Sequence, residues 1–358
     1  MAFAIRIGVI GIDHNHIYGM LNGMLNVGGV VVGWSTGGET PETLRHVFRQ
    51  SYPGVPEMSV EAILEDESIN LVLCAGINSE RAGTAMDAMR HGKDVLVDKP
   101  GCTSQQQLAD IRKTVAETGR RWTVCFSERL LVQSVTVADQ IIAEGRIGKV
   151  VQTVGLGPHR LNAHLRQPWF WDRGRFGGIL TDICAHQFDQ FLHFTGSTQA
   201  NVVTAHIGNV ANPDRPDFQD FGEVILAGNG GRGYARVDWL TPDGLPTWGD
   251  GRMTIVGTEG YIELRKYIDI AGQPGTDHVF VVDKAGVSRV DAAGAGTPFF
   301  GRLARDGSGA PRGPIANEDA LDASDLRASW LGAQASPSGV VKAGNFSREA
   351  SSISTSWK

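Results

Sequence analysis

With 358 residues, 41% of them apolar and 20% charged, the chain has enough material for two domains with separate cores and the balance of an ordinary globular protein. A formal net charge of −6 and the lack of any basic run leave no electrostatic footprint for nucleic acid or an anionic membrane surface. No apolar run is long enough to span a bilayer and the N-terminus lacks a signal-peptide layout, so a cytoplasmic protein is expected, with Cys74, Cys102, Cys125 and Cys184 as reduced thiols in no C-x-x-C pair.

The first third alternates strand and helix signals. Ile5 to Ile10 reads as a buried strand, 15–26 as a helix, and Val27 to Trp34 as a second apolar strand. Helices are expected at 41–50, where Pro41 suits a first turn, and from Val60 to Leu64. A third strand (70–75), a helix (79–91) stopped by Gly92, a fourth strand (94–98), a helix opened by Ser104 and a fifth strand (122–126) complete the pattern. Such alternation means a doubly wound parallel sheet in an N-terminal α/β domain, placed at 1–126.

After residue 127 the rhythm changes. A helix over 134–144, a strand over 150–156 and an irregular Trp-rich segment lead to an apolar helix beginning after Gly177-Gly178. Strand-like runs follow at 201–208, 221–227, 232–240, 252–256, 260–264 and 278–282, separated by turns such as Gly228-Asn229-Gly230-Gly231. We therefore expect an α+β second domain, 127–335, on an open, mostly antiparallel sheet, with a last helix at 318–335 and a Ser-rich tail at 336–358.

The helix after Gly178 carries Asp182 and His186 four residues apart, so both lie on one face. A carboxylate and an imidazole are costly to bury on an apolar helix unless they are paired or used. The spacing suits a proton-transfer pair, and it equally suits a His satisfied by its own neighbour.

The turn Gly8-Val9-Ile10-Gly11-Ile12-Asp13-His14-Asn15-His16 follows the first strand, where a dinucleotide-binding fold presents N–H groups and a helix N-terminus to pyrophosphate. Only the early glycines are in place. Asp13 and His14 stand where a second loop glycine belongs, and Asp13 must turn away from a phosphate or, like Asn15, cap the helix. His14 and His16 suggest a metal pair, but no third ligand is in reach by sequence, so no metal is expected. The second strand ends in Ser35 and Thr36 rather than an acid, which leaves NAD and NADP both open.

Four segments together resemble the glucose–fructose oxidoreductase / inositol dehydrogenase / MocA family over roughly residues 5–335. They are the glycine turn, Asp98-Lys99-Pro100 against the family's Glu-Lys-Pro, the Gly-Gly…Asp-x-x-x-His signature of the Asp182 helix, and Gly257-Thr258-Glu259-Gly260. The resemblance implies hydride transfer between a nicotinamide and a carbon bearing a hydroxyl on a sugar, inositol or related polyol. It implies Lys99, Asp182 and His186 as catalytic, with His186 the base, Asp182 bonding the substrate hydroxyl or orienting the imidazole, and Lys99 stabilising negative charge on the reacting oxygen. The opposite split, with Lys99 as acid/base, stays open.

On the cofactor side the expected residues are Gly8, Gly11, Ile12, Asp13, His14, Ser35, Thr36, Asn78, Arg81, Asp98 and Lys99. Arg81 stands where the family often has His and reads equally well as a solvated helix residue. On the substrate side, Lys99, Asp182 and His186 are joined by His159, Trp169, Trp171 and Asp172, because sugar C–H faces stack on aromatic rings and hydroxyls need fixed polar partners. Trp239 and Trp248 are further pocket candidates. A homodimer or tetramer through the C-terminal sheet is expected. A dinucleotide- or sugar-sensing protein without turnover, and a glycoside-cleaving enzyme working through a transient 3-keto sugar, are the alternatives.

Overall fold

The structure, a computed structural model, describes residues 5–307 and 341–342. Its first unit alternates β1 (Arg6–Ile10), α1 (His16–Asn26), β2 (Val30–Ser35), α2 (Glu42–Ser51), α3 (Val60–Glu65), β3 (Leu71–Cys74), α4 (Arg81–Arg90), β4 (Asp94–Asp98), α5 (Gln105–Thr118) and β5 (Trp122–Cys125). The strands pair parallel in the order β2-β1-β3-β4-β5. Their side chains are buried on both faces, as a sheet covered by helices on each side requires. Ser104 caps α5 by accepting from the Gln107 amide (3.1 Å), and Gly119 ends it in the left-handed region.

Strand order reverses between β1 and β3, and in such sheets ligands bind at the carboxyl ends beside that reversal. Gly11 follows β1 there with φ +86, and a Cβ on it would lie 2.7 Å from the Gly76 Cα. Two backbones thus touch at the mouth of the crevice. Gly11→Ala therefore costs about 1–3 kcal/mol, from both the strained φ and the backbone clash. Gly19→Ala, at an open site of α1 where nothing lies within 4 Å, is neutral or slightly stabilising. Urea melts of the two variants check this contrast in sign.

The second unit begins with α6 (Ser127–Leu130), α7 (Gln133–Ala143) and β6 (Val150–Pro158). A 3-10 segment over Pro168–Trp171 precedes α8 (Arg173–Phe176), α9 (Ile179–Asp182) and α10 (Cys184–Thr195). Then come β7 (Ala200–Gly208), β8 (Phe221–Gly228), β9 (Arg232–Asp238), β10 (Arg252–Gly257), β11 (Tyr261–Arg265), β12 (His278–Asp283), β13 (Gly286–Val290), α11 (Phe299–Gly307) and β14 (Val341–Lys342). Nine strands form one sheet, β13-β12-β11-β10-β6-β9-β8-β7-β14, antiparallel except for β6–β9. One face packs on α7, α9 and α10 through residues such as Val224, Leu226, Ala235 and Val237. Ile225 and Tyr261, on the other face, are each 42% exposed.

The parallel and antiparallel sheets match the expected architecture, and most elements fall within a few residues of their expected bounds. β13, α6, α8 and α11 were not expected. α11 returns to the first unit, where Phe299, Phe300 and Leu303 join its core and the Phe300 ring lies against Gly23 of α1. Within the stretch expected to be a tail, Val341–Lys342 pairs with β7. The helix expected at 318–335 lies outside the described residues. All four cysteines are buried, and none of them forms a disulfide among the described residues. Among the described residues, no helix is long and apolar enough to cross a membrane.

Candidate active site

Lys99 leaves the carboxyl end of β4 through a cis Lys99-Pro100 peptide, and its Nζ donates to Asp182 Oδ1 at 2.7 Å. Both side chains are buried. The helix expected to carry Asp182 and His186 is interrupted at one residue, Ile183, whose own φ −73 and ψ −45 stay helical. α9 ends at Asp182, α10 starts at Cys184, and the His186 amide bonds Ile183 O (3.2 Å) rather than the carbonyl four residues back. Asp182 does not bond the imidazole, because the Lys99 ammonium, 83 positions away in sequence, is the stronger partner.

His186 is left with Nδ1 buried and without a hydrogen-bond partner. Burial holds its pKa well below the usual imidazole range; Glu128 opposes that, and Lys99, His16 and His159 add to it. The ring is therefore neutral at neutral pH and able to accept a proton.

Glu128 was not foreseen. It sits in α6, just beyond the carboxyl end of β5, which is the edge of a parallel sheet where ligands collect. Its Oε2 accepts from Lys266 Nζ (2.9 Å) and Gln187 Nε2 (3.2 Å). Lys266 also donates to Gln190 Oε1 (2.6 Å), whose amide group donates to His186 O (2.9 Å). Burial alone would raise the Glu128 pKa, but Lys266, His186 and His159 hold it down to about 2. A full negative charge is thus kept behind the His186 ring, and one Glu128 oxygen, Oε1, has no partner.

On the cofactor side the glycine turn departs from its expected roles in several ways. Gly8 lies within β1, where Ile63 of α3 fills the space of a side chain, so it serves helix–sheet packing. Neither Asp13 nor Asn15 caps α1 with its side chain. Asp13 instead turns away and accepts from the Thr40 hydroxyl (2.8 Å), while its carbonyl accepts from Gln167 Nε2 (2.9 Å) of the second unit. Ile12 is buried beside it. Arg81 is fully buried rather than solvated. Its guanidinium donates to Gly76 O (2.8 Å) and Lys99 O and pairs with Asp98 (3.1 Å), fixing the loop that presents Lys99.

Asn78 Nδ2 donates to Phe176 O (2.9 Å), leaving Oδ1 buried and unpartnered. Ser35 ends β2, Thr36 follows it, and the Thr36 hydroxyl donates to Gly38 O (3.2 Å). These features fit a dinucleotide. The close Gly11–Gly76 backbone approach keeps side chains out of the crevice mouth, the acid at position 13 points elsewhere, Asn78 Oδ1 is a buried acceptor without a donor, and of the α1 N-terminal amides His16 N is taken by His14 Nδ1 (3.3 Å).

Among the expected substrate residues, His159 is the one coupled in charge to Lys99 and Asp182. Burial pushes its pKa down to about 4, with Glu128, Lys99 and Asp182 all acting on it. Its ring contacts Trp248 (4.5 Å) and Trp239 (5.3 Å). Trp169 is buried with Nε1 unpartnered. Trp171 lies under the Arg215 guanidinium (3.6 Å), and Asp172 is exposed, capping α8 through the Gly174 amide (2.8 Å), so these two have other engagements. Arg166, which sequence reasoning missed, stacks between Phe170 (4.5 Å) and Trp239 (4.7 Å) within the field of Asp182. An open groove lined by Asn162, His164, Trp239 and Thr241 shares only Trp239 with this cluster.

Residues 5–126 match an oxidoreductase family with an NAD-binding Rossmann fold, and residues 135–263 match the GFO/IDH/MocA C-terminal domain. Scyllo-inositol 2-dehydrogenase (NAD(+)) of Bacillus subtilis is 25% identical over 302 residues, 79% of this chain and 81% of that protein. Scyllo-inositol 2-dehydrogenase (NADP(+)) IolW of the same organism is 25% identical over 167 residues, 47% of this chain and 45% of that protein. A crystal structure from Erwinia carotovora atroseptica SCRI1043, whose description names an oxidoreductase and no substrate, superimposes with a TM-score of 0.87 at 41% identity. It covers 90% of this chain and 97% of that one.

Proposed function

Because the chain belongs to the GFO/IDH/MocA oxidoreductases, with their NAD-binding Rossmann fold, we propose that it moves a hydride between a nicotinamide dinucleotide and the secondary alcohol or ketone carbon of a sugar, inositol or related polyol. The observation that carries this reading is the buried Lys99–Asp182 pair beside an unsatisfied, uncharged His186. When bound, the dinucleotide supplies the hydride acceptor or donor.

Lys99, held by Asp182, donates a hydrogen bond to the reacting oxygen and stabilises negative charge there. His186 takes the hydroxyl proton in the oxidative direction and returns it in the reductive one. With Nδ1 sealed in the protein, Nε2 is the nitrogen that exchanges the proton. Glu128 stabilises the imidazolium that results. Arg166, His159 and the Trp239 ring supply the mixture of aromatic face and fixed polar groups that a polyhydroxylated ring needs.

Relatives use NAD in one case and NADP in the other, so the test runs both. A panel of sugars, inositols and their keto forms is followed by nicotinamide absorbance. Turnover of at least one polyol is expected. Cofactor binding with no turnover across the panel favours a sensor, and sugar release without net reduction favours transient 3-keto chemistry.

A further inference from the structure

The His14-Asn15-His16 pair lacks a third ligand in sequence, and the fold provides one. Asp98 ends β4, two strands from β1, and its carboxylate is in contact with both rings. His16 Nδ1 is 2.9 Å from Oδ1 and His14 Nδ1 is 3.3 Å from Oδ2. The rings stand edge to face with centroids 4.2 Å apart, and the three ligand atoms lie within 4.8 Å of one another. Metal–ligand bonds of about 2.0–2.2 Å in tetrahedral or octahedral arrangement put neighbouring donor atoms about 2.9–3.5 Å apart, which brackets both nitrogen–oxygen distances.

Hydrogen bonding favours an ion over a simple imidazole–carboxylate pair. The His16 amide donates to His14 Nδ1 (3.3 Å), so that nitrogen presents a lone pair. Asp98 Oδ2 is buried with no hydrogen bond of its own. A lone pair facing a carboxylate oxygen at 3.3 Å needs positive charge between them. Arg81 Nη2 lies 3.1 Å from this same Oδ2 and fixes the carboxylate in place, as the outer partners of metal-bound carboxylates do. Asp98 is fully buried, whereas the His16 side chain is 34% exposed and leaves a path from solvent.

We infer that His14, His16 and Asp98 bind one divalent first-row cation of the zinc class, with its remaining coordination positions left to water or an anionic ligand at the start of α1. Two imidazole nitrogens and one carboxylate oxygen suit zinc, cobalt or manganese better than magnesium, which prefers oxygen throughout. The site does not depend on the hydride-transfer reading.

The protein is stripped by chelator dialysis and titrated with Zn2+ against a chromophoric competitor. One equivalent per chain is expected, and Co2+ loading gives visible d–d absorption. His14→Gln and His16→Gln each weaken Zn2+ binding at least tenfold, while His206→Gln, at an exposed histidine on β7 of the second sheet, leaves it unchanged. Asp98→Asn is avoided because it would unpair Arg81. The inference is overturned if the wild type binds less than one equivalent, or if the double His14→Gln/His16→Gln variant binds as much as the wild type. The wild-type cobalt spectrum needs no variant to fold. NAD titration of the same samples reports separately on the cofactor, so loss of one reading is distinguishable from loss of the other.

Discussion

Lys99→Met lowers kcat by about two to three orders of magnitude, the loss typical when one pre-aimed donor to a developing negative charge is removed. Its stability falls as well. Lys99 and Asp182 are both buried and bonded at 2.7 Å, so removing the ammonium leaves a carboxylate in the protein interior with no counter-charge. Breaking one side of such a pair costs about 3–5 kcal/mol. The double variant Lys99→Met/Asp182→Leu recovers much of that stability, since it buries two apolar groups in place of a broken pair, and recovers none of the activity. Urea melts with steady-state kinetics on the three proteins separate the two roles. If the double variant turned over substrate near the wild-type rate, Lys99 would be holding the fold and not the reacting oxygen.

The parts of this site that could be read from sequence are those set by local pattern. Lys99 was visible through the resemblance of Asp98-Lys99-Pro100 to the family's Glu-Lys-Pro motif. Asp182 and His186 were visible through their spacing, but their pairing was not. The partner of Asp182 comes from 83 positions away, and the break at Ile183 falls on a residue that any helix accepts. Arg81 read equally as a cofactor residue and as a solvated one, because nothing in its helix shows that the arginine turns inward to loop carbonyls. Glu128 drew no notice, since its burial with Lys266 depends on a contact spanning 138 positions. The edge strand β13 escaped because an exposed edge needs no apolar alternation. For Asp182 and Glu128 the missing quantity was a long-range contact, which periodicity does not encode.

His186→Gln lowers kcat for alcohol oxidation by about two to four orders of magnitude and leaves cofactor affinity near the wild-type value, because the change removes a proton acceptor and not a dinucleotide contact. The pH profile of the wild type carries a sharper expectation. A general base works only in its unprotonated form, so the rate is lost as pH falls through its pKa. Burial, with Lys99, His16 and His159, holds that pKa well below the ordinary 6.5. Oxidation should therefore run level through neutrality and decline only well on the acid side of 6.5. Glu128 is the one group among the causes that favours the charged ring, so Glu128→Gln moves the acid limb to still lower pH. The measurement is kcat/KM against pH for the wild type and Glu128→Gln. An acid limb at or above 6.5, unmoved by Glu128→Gln, removes His186 from the role of base. If Lys99 were the base, the Glu128 change would leave the acid limb in place and His186→Gln would retain most of its turnover.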